Sequence, residues 1–284
     1  MKIYPFKIPK PQHNNLIIQI DKQQEFYNKL HQHEEIQISF LLKGNGSLII
    51  ADSIHTYTEG DLFIIGSNIP HVFQSNTLSK ETSHMVSLFF TPASFGNDFF
   101  NLIEFNELRP FFQNAKTGFK VKSIPERITE NLQQLKNKSK FNRFVFLIDL
   151  LHFLSYAETK ALTSFIYPKE ITVSDGERIQ TIFDYAITNF HRNITLKTIS
   201  GIANMTPHSF CRYFKQRTNK TFFQFLIELR IANACKLLRH KKDIPIEDIS
   251  YLSGFKNLSN FNRKFKEFKK TTPNNYRHNR IKHL

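Results

Sequence analysis

Two different hydrophobic rhythms divide this chain. From about Leu16 to Phe90, short apolar runs rich in β-branched and aromatic residues alternate with turn residues: QISFLL, SLII, DLFII and HMVSLFF. Lys43-Gly44-Asn45-Gly46, Glu59-Gly60-Asp61 and Gly66-Ser67-Asn68 separate them. That rhythm predicts short strands of a small antiparallel barrel or jelly roll, whose interior can hold a ligand. From 97 to 160 the period lengthens. Ile124–Leu135 and Phe141–Tyr156 predict helices, the second densely apolar through Phe144, Val145, Leu147, Ile148, Leu151, Phe153 and Leu154. Tyr167-Pro168-Lys169 breaks the period, and Ser174-Asp175 can start the next helix.

The last 110 residues repeat themselves. Leu196–Lys215 (LKTISGIANMTPHSFCRYFK) echoes Ile246–Lys266 (IEDISYLSGFKNLSNFNRKFK). Ile199-Ser200 matches Ile249-Ser250, and Phe210, Arg212, Phe214 and Lys215 match Phe261, Arg263, Phe265 and Lys266. Thr221 and Phe225 likewise precede Thr272 and Tyr276. Each copy reads as helix, tight turn, helix. Thr195 caps a helix with Leu196, Ile199, Ile202 and Ala203 inward; Asn204-Met205 turn; Thr206-Pro207 restart a helix that buries Phe210 and Phe214. In the second copy Ile246, Ile249 and Leu252 form the inner stripe, Gly254 turns, and Asn257 caps a helix burying Phe261, Phe265 and Phe268. Between the copies, Thr221 with Gln224 forms a capping box on one long helix carrying Phe222, Phe225, Leu226, Leu229, Ile231, Ala232, Leu237 and Leu238. Such a connector suits two recognition helices that must enter successive major grooves about 34 Å apart.

Charge sharpens the division. Residues 175–284 hold 21 Lys and Arg against 8 Asp and Glu, whereas residues 1–174 hold 18 against 16. A basic surface releases counterions on meeting phosphates, so the asymmetry points the second half toward nucleic acid. The sequence has no apolar run long enough to span a membrane, and its first residues lack the apolar core of a signal peptide. With two cysteines at no metal-type spacing, the expectation is a cytoplasmic protein with reduced thiols.

Residues 177–277 resemble the DNA-binding domain of the AraC/XylS family of bacterial regulators. The likeness rests on Leu229-Arg230-Ile231, Ala234, Leu237-Leu238, Ile246, Ile249, Gly254-Phe255, Phe261, Arg263, Phe265-Lys266, Thr272-Pro273 and Tyr276-Arg277. Three positions depart from the pattern: Asn219 and Lys270 stand where glycine is usual, and Ser253 where a small apolar residue is. The resemblance implies DNA contacts from His208, Cys211, Arg212 and Lys215 on one helix, and from Ser259, Asn260, Asn262, Arg263 and Lys266 on the other. Arginine bonds guanine in bidentate fashion and asparagine adenine, while phosphate contact alone is the competing role for Arg212 and Arg263. Lys215, Lys256, Lys264 and Lys266 suit phosphate contacts or solvated charges rather than base readout.

In the first half, His31-Gln32-His33 with Gln37, and Gly60-Asp61-Leu62 followed by Pro70-His71, resemble the cupin barrel that often precedes this DNA-binding domain. Metal-binding cupins use a His-x-His, a Glu and a later His. Gln37 occupies the Glu position and is a weaker, neutral ligand, so the expectation is an effector pocket of His31, His33, Gln37 and His71 with no metal or other cofactor. Glu34 and Glu35 are expected to face solvent.

The expected architecture is therefore α+β in two domains. A cupin-like β-barrel with helices (1–160) senses an effector and dimerises, a linker follows (161–174), and an all-α double helix-turn-helix domain completes the chain (175–284). The expected function is effector-controlled, sequence-specific transcription regulation without enzymatic activity. Its partners would be promoter double-stranded DNA, a small-molecule effector, RNA polymerase and a second copy of the chain, with no membrane. A metal-dependent cupin enzyme on a DNA tether and an effector-independent activator are the competing readings.

Overall fold

The computed structural model describes residues 15–76, 82–163, 173–240 and 243–278. The chain divides into two compact units, Tyr4–Glu170 and Ile171–Leu284.

The first unit contains nine strands among its described residues: β1 (Ile17–Gln23), β2 (Ile36–Lys43), β3 (Gly46–Ile50), β4 (Ser53–Tyr57), β5 (Leu62–Ile65), β6 (His71–Ser75), β7 (Ser83–Phe90), β8 (Phe119–Val121) and β9 (Thr159–Ala161). They form a six-stranded sheet ordered β1-β7-β2-β5-β8-β9 and a three-stranded sheet ordered β4-β3-β6. Every pairing is antiparallel, with Gln37 opposite Phe89 and Ile65, and Ser39 opposite Ser87 and Phe63. β2 is buried on both faces, and its alternation separates two environments. Ile36, Ile38 and Phe40 join Leu62, Ile64, Val86 and Leu88 in a core covered by α1 (Arg109–Ala115) and α3 (Lys140–Tyr156). Gln37 and Ser39 take the opposite face.

The helical stretch expected over 97–160 is interrupted. α2 runs only Glu126–Gln133, and β8 and β9 add two strands to the sheet edge. Neither is visible to a pattern search, because a three-residue strand carries too few alternations to outweigh flanking helices. β9 also carries regular structure to Ala161, and the next helix begins at Val173; residues 164–172 of the expected linker lie outside the described residues.

The second unit is helical: α4 (Val173–Asn189), α5 (Leu196–Ile202), α6 (Pro207–Thr218), α7 (Phe222–His240), α8 (Ile246–Leu252), α9 (Leu258–Lys269) and α10 (Pro273–His278). The repeat is visible in the backbone. Asn204 (φ 53°) and Gly254 (φ 84°) make the two turns, while Asn219 (φ 55°) and Lys270 (φ 57°) end α6 and α9 in the left-handed region. The capping follows the expected residues: Thr195 accepts from Thr198 N at 3.1 Å, Thr206 from Ser209 N at 3.3 Å and Asn257 from Asn260 N at 2.8 Å. Thr221 and Gln224 exchange both bonds of their capping box.

Three residues expected inside are not. Ile202 is 37% exposed, Leu252 52% and Phe268 37%. Each occupies the last turn of its helix, where the stripe drifts off the buried face as 3.6 residues per turn accumulate.

α7 serves two cores. Its first half packs Phe222 and Phe225 against Phe210, Phe214 and Phe183, with ring centroids 4.8–6.0 Å apart. Its second half places Ile231, Ala234, Cys235 and Leu238 with Ile249, Phe255, Phe261 and Phe265.

Candidate functional site

The structure brings together the four residues expected to form the barrel site. His31 and His33 lie between β1 and β2, Gln37 on β2, and His71 at the start of β6. His31 and His71 pair through their backbones, N–H to C=O in both directions at 3.1 and 2.9 Å, and Asn68 N donates to the His33 carbonyl at 2.7 Å. Three imidazoles are thus held by main-chain bonds at one end of the barrel, each with a ligating nitrogen within 4.8 Å of the others'.

Their outer edges are fixed too. Nδ1 lies 2.9 Å from the Lys29 carbonyl in His31, 3.0 Å from the Glu35 carbonyl in His33 and 2.8 Å from the Ile69 carbonyl in His71. A carbonyl oxygen only accepts, so each Nδ1 carries the proton. Burial holds all three rings below the ordinary histidine range: His31 is lowered to about 4, His33 is lowered and His71 well lowered, each chiefly by desolvation. The rings are therefore neutral near pH 7, with the proton outward and the Nε2 lone pair inward.

Gln37 closes the cluster. One end of its amide lies 3.1 Å from His33 Nε2 and 2.9 Å from His71 Nε2; the other lies 2.7 Å from Ser39 Oγ, which is 2.8 Å from Ser87 Oγ. The two amide ends have nearly the same shape, so their identities follow from the partners. Bare Nε2 atoms call for the amide NH2, leaving Oε1 to accept from the Ser39 hydroxyl. The oxygen faces the rings only when they carry Nε2–H.

Glu34 is exposed, but Glu35 is 4% exposed, with its carboxylate 3.6 Å from His33 Nδ1. The solvent-facing expectation for Glu35 is thus corrected: it backs His33 from outside the cluster. Beside His31 and Gln37 opens a cavity of ≈ 40 Å³, also lined by Gln19, Asp21, Phe26 and Tyr27. Gln19 Nε2 donates to Asp21 at 2.9 Å, and burial raises the Asp21 carboxyl. Neither residue was among the expected site residues; their i, i+2 spacing on β1, which puts them on one face, was the available signal.

A metal fits the donor set. Neutral histidines that donate their outer N–H to backbone carbonyls are the arrangement found around protein-bound metals. His31, His33 and His71 would supply the nitrogens, and their softness favours zinc, nickel or copper over calcium or magnesium.

In the second unit, His208, Cys211, Arg212 and Lys215 are exposed on α6, and Ser259, Asn262, Arg263 and Lys266 on α9. Asn260 is half-buried, and its Oδ1 accepts from Arg263 Nη2 at 3.0 Å. Glu267 Oε2 lies 3.9 Å from Arg263 Nη1 and accepts from Lys264 Nζ at 2.8 Å. Arg263 is thus held along the helix by Asn260 and Glu267.

Comparison with known proteins follows the same division. Residues 199–279 match the family model described as a helix-turn-helix domain, and residues 17–89 that described as a cupin domain. A Bacillus subtilis relative named HTH-type transcriptional regulator YdeC is 24% identical over 257 residues, covering 88% of this chain and 86% of its own. The Staphylococcus aureus HTH-type transcriptional regulator SACOL0084 is 22% identical over 249 residues; this chain spans about a third (32%) of that relative's length. Among solved structures, ToxT from Vibrio cholerae with unsaturated fatty acid bound aligns at TM-score 0.39 and 18% identity, covering 94% of this chain and 96% of its own.

Two helix-turn-helix units in one helical domain, with a cupin domain ahead of them, define a DNA-binding transcription regulator. Residues 199–279 thus form a helix-turn-helix domain of the AraC type, and residues 17–89 a cupin domain.

Proposed function

We propose that the chain is a one-component regulator whose hold on promoter DNA, through α6 and α9, is set by a small ligand bound at His31, His33, Gln37 and His71. The histidine cluster carries this reading. Three desolvated imidazoles gathered in one cluster, two of them on a single buried amide, cost the fold free energy that an apolar barrel interior would save, which is the usual mark of a site kept for binding. A ligand changes DNA binding only if it has different affinities for two states of the protein. The test is DNA affinity measured with and without ligands that raise the thermal midpoint. Replacing His31 and His33 together should abolish the response and spare DNA binding; an unchanged response would remove this reading.

The outward Nδ1–H bonds favour a second reading, in which the ligand is a divalent transition metal. Chelator-treated protein titrated with zinc chloride should bind one equivalent, and His71→Ala should bind none.

As for assembly, Phe141, Val145 and Tyr156 are exposed along α3, at 72%, 49% and 64%. We assign this stripe to pairing of two chains; Val145→Glu should lower the mass seen by sedimentation. RNA polymerase enters the proposal as the partner of a promoter-bound regulator.

A further inference from the structure

One side chain joins the two DNA-reading units directly. Arg230 lies at the middle of α7, where the helix passes from the first core to the second. Its Nε donates to the Phe190 carbonyl at 2.8 Å and its Nη2 to the Arg192 carbonyl at 2.9 Å, both in the α4–α5 connection that leads into the first unit. Its guanidinium also lies 6.0 Å from the ring centroid of Phe255, the residue after the turn of the second unit. At that turn Gly254 is left-handed, and a Cβ there would sit 2.6 Å from the Phe190 carbonyl oxygen and 2.9 Å from Arg230 Nε. The backbones of the two units meet where only glycine fits, and a planar, partly desolvated guanidinium clamps them.

We propose that the Arg230–Gly254 contact sets the angular phase between α6 and α9, and so sets which spacing of two DNA segments the protein accepts. A single helix such as α7 resists bending but leaves the units at its ends with some freedom to swivel about their hydrophobic contacts, since apolar packing is not directional. Two hydrogen bonds with fixed fork geometry remove that freedom. DNA is sensitive to it: one inserted base pair moves the second segment by about 3.4 Å and turns it by about 35°. Arg230 is a positioning residue on this account, remote from the exposed faces of α6 and α9.

The proposal rests on both units engaging one duplex. The experiment uses the full chain and a duplex enriched from a random-sequence library by the unaltered protein. A single enriched segment would refute the two-unit premise; two segments allow the spacing test. Affinity is then measured on that duplex and on versions with one base pair inserted or deleted between the segments. The unaltered protein should lose about tenfold or more on either change. Arg230→Met, which keeps the stem packing, should bind the original duplex about tenfold more weakly and the altered ones nearly as well as before, so spacing preference collapses. Arg230→Lys, which keeps charge without the fork, should fall between them and serves as the test if the methionine variant does not fold. Equal weakening at every spacing, or unchanged spacing preference in the lysine variant, would overturn the proposal.

Discussion

Replacing Gln37 by leucine removes the hub of the barrel site while keeping its volume. Two buried groups lose their partner at once, His33 Nε2 and His71 Nε2, at 3.1 and 2.9 Å; Ser39 Oγ, 2.7 Å from the amide, keeps Ser87 Oγ at 2.8 Å. Both belong to side chains no more than 6% exposed, so little water is at hand to replace the amide. Each stranded group costs about 1–3 kcal/mol. Burying the leucine returns about 1.5–2 kcal/mol. With two groups at about 2 kcal/mol each, the mid-range expectation is a loss of about 2 kcal/mol, confined to the sensing unit. Hydrogen–deuterium exchange of peptides from β2 and β7 reads this locally, and at about 1.4 kcal/mol per decade protection should fall by about 1.5 decades. Peptides from α7 should not change. A drop of less than fivefold in β2 would show that the amide is not holding the histidines, and the site described above would lose its centre.

Other expectations follow from the same geometry. Lys270 and Asn219 end equivalent helices at φ near 56°, but only lysine is ill suited to it. Lys270→Gly should stabilise the second unit by about 0.5–1 kcal/mol, the left-handed strain relieved less the entropy glycine loses on folding; Asn219→Gly should change it by less than half as much in urea unfolding. Arg263→Ala should weaken binding to the enriched duplex by about 1–3 kcal/mol and relax preference at one base pair; uniform weakening on all sequences would mean phosphate contact alone. For the neutral histidines, the unfolded chain takes up protons near pH 6.5 while folded His31 waits until about 4. Stability of the sensing unit is therefore complete above pH 6.5 and falls as pH drops from 6.5 toward 4. At about 1.4 kcal/mol per pH decade His31 alone accounts for about 3 kcal/mol, halved to about 1.5 by its partial exposure. A thermal midpoint of the sensing unit that is flat from pH 7 to 4.5 would contradict it.

The second unit was legible almost residue by residue, because its information is local. Caps, turns and stripes lie within four residues of each other, and the repeat doubled every signal. Ile202, Leu252 and Phe268 were misjudged only where helix ends let a stripe rotate outward. Histidine spacing announced the barrel site, since His31, His33 and His71 are unusual residues for a barrel interior. Glu35 could not be read, because a carboxylate four residues before a strand's midpoint looks solvated until the chain folds around it. β8, β9 and the Arg230–Gly254 contact depend on partners 24 to 57 residues apart in sequence and set by three-dimensional closure, which no local pattern encodes.

The two helix-turn-helix units both place a left-handed residue at the turn and at the end of the second helix while differing in what they expose: His208, Cys211 and Arg212 on α6, Ser259, Asn262 and Arg263 on α9. The frame repeats while the exposed side chains differ. A stretch of DNA read by one such chain has no palindrome to match, so the bound protein has a front and a back. Reversing the DNA element without moving it should therefore change what the promoter does.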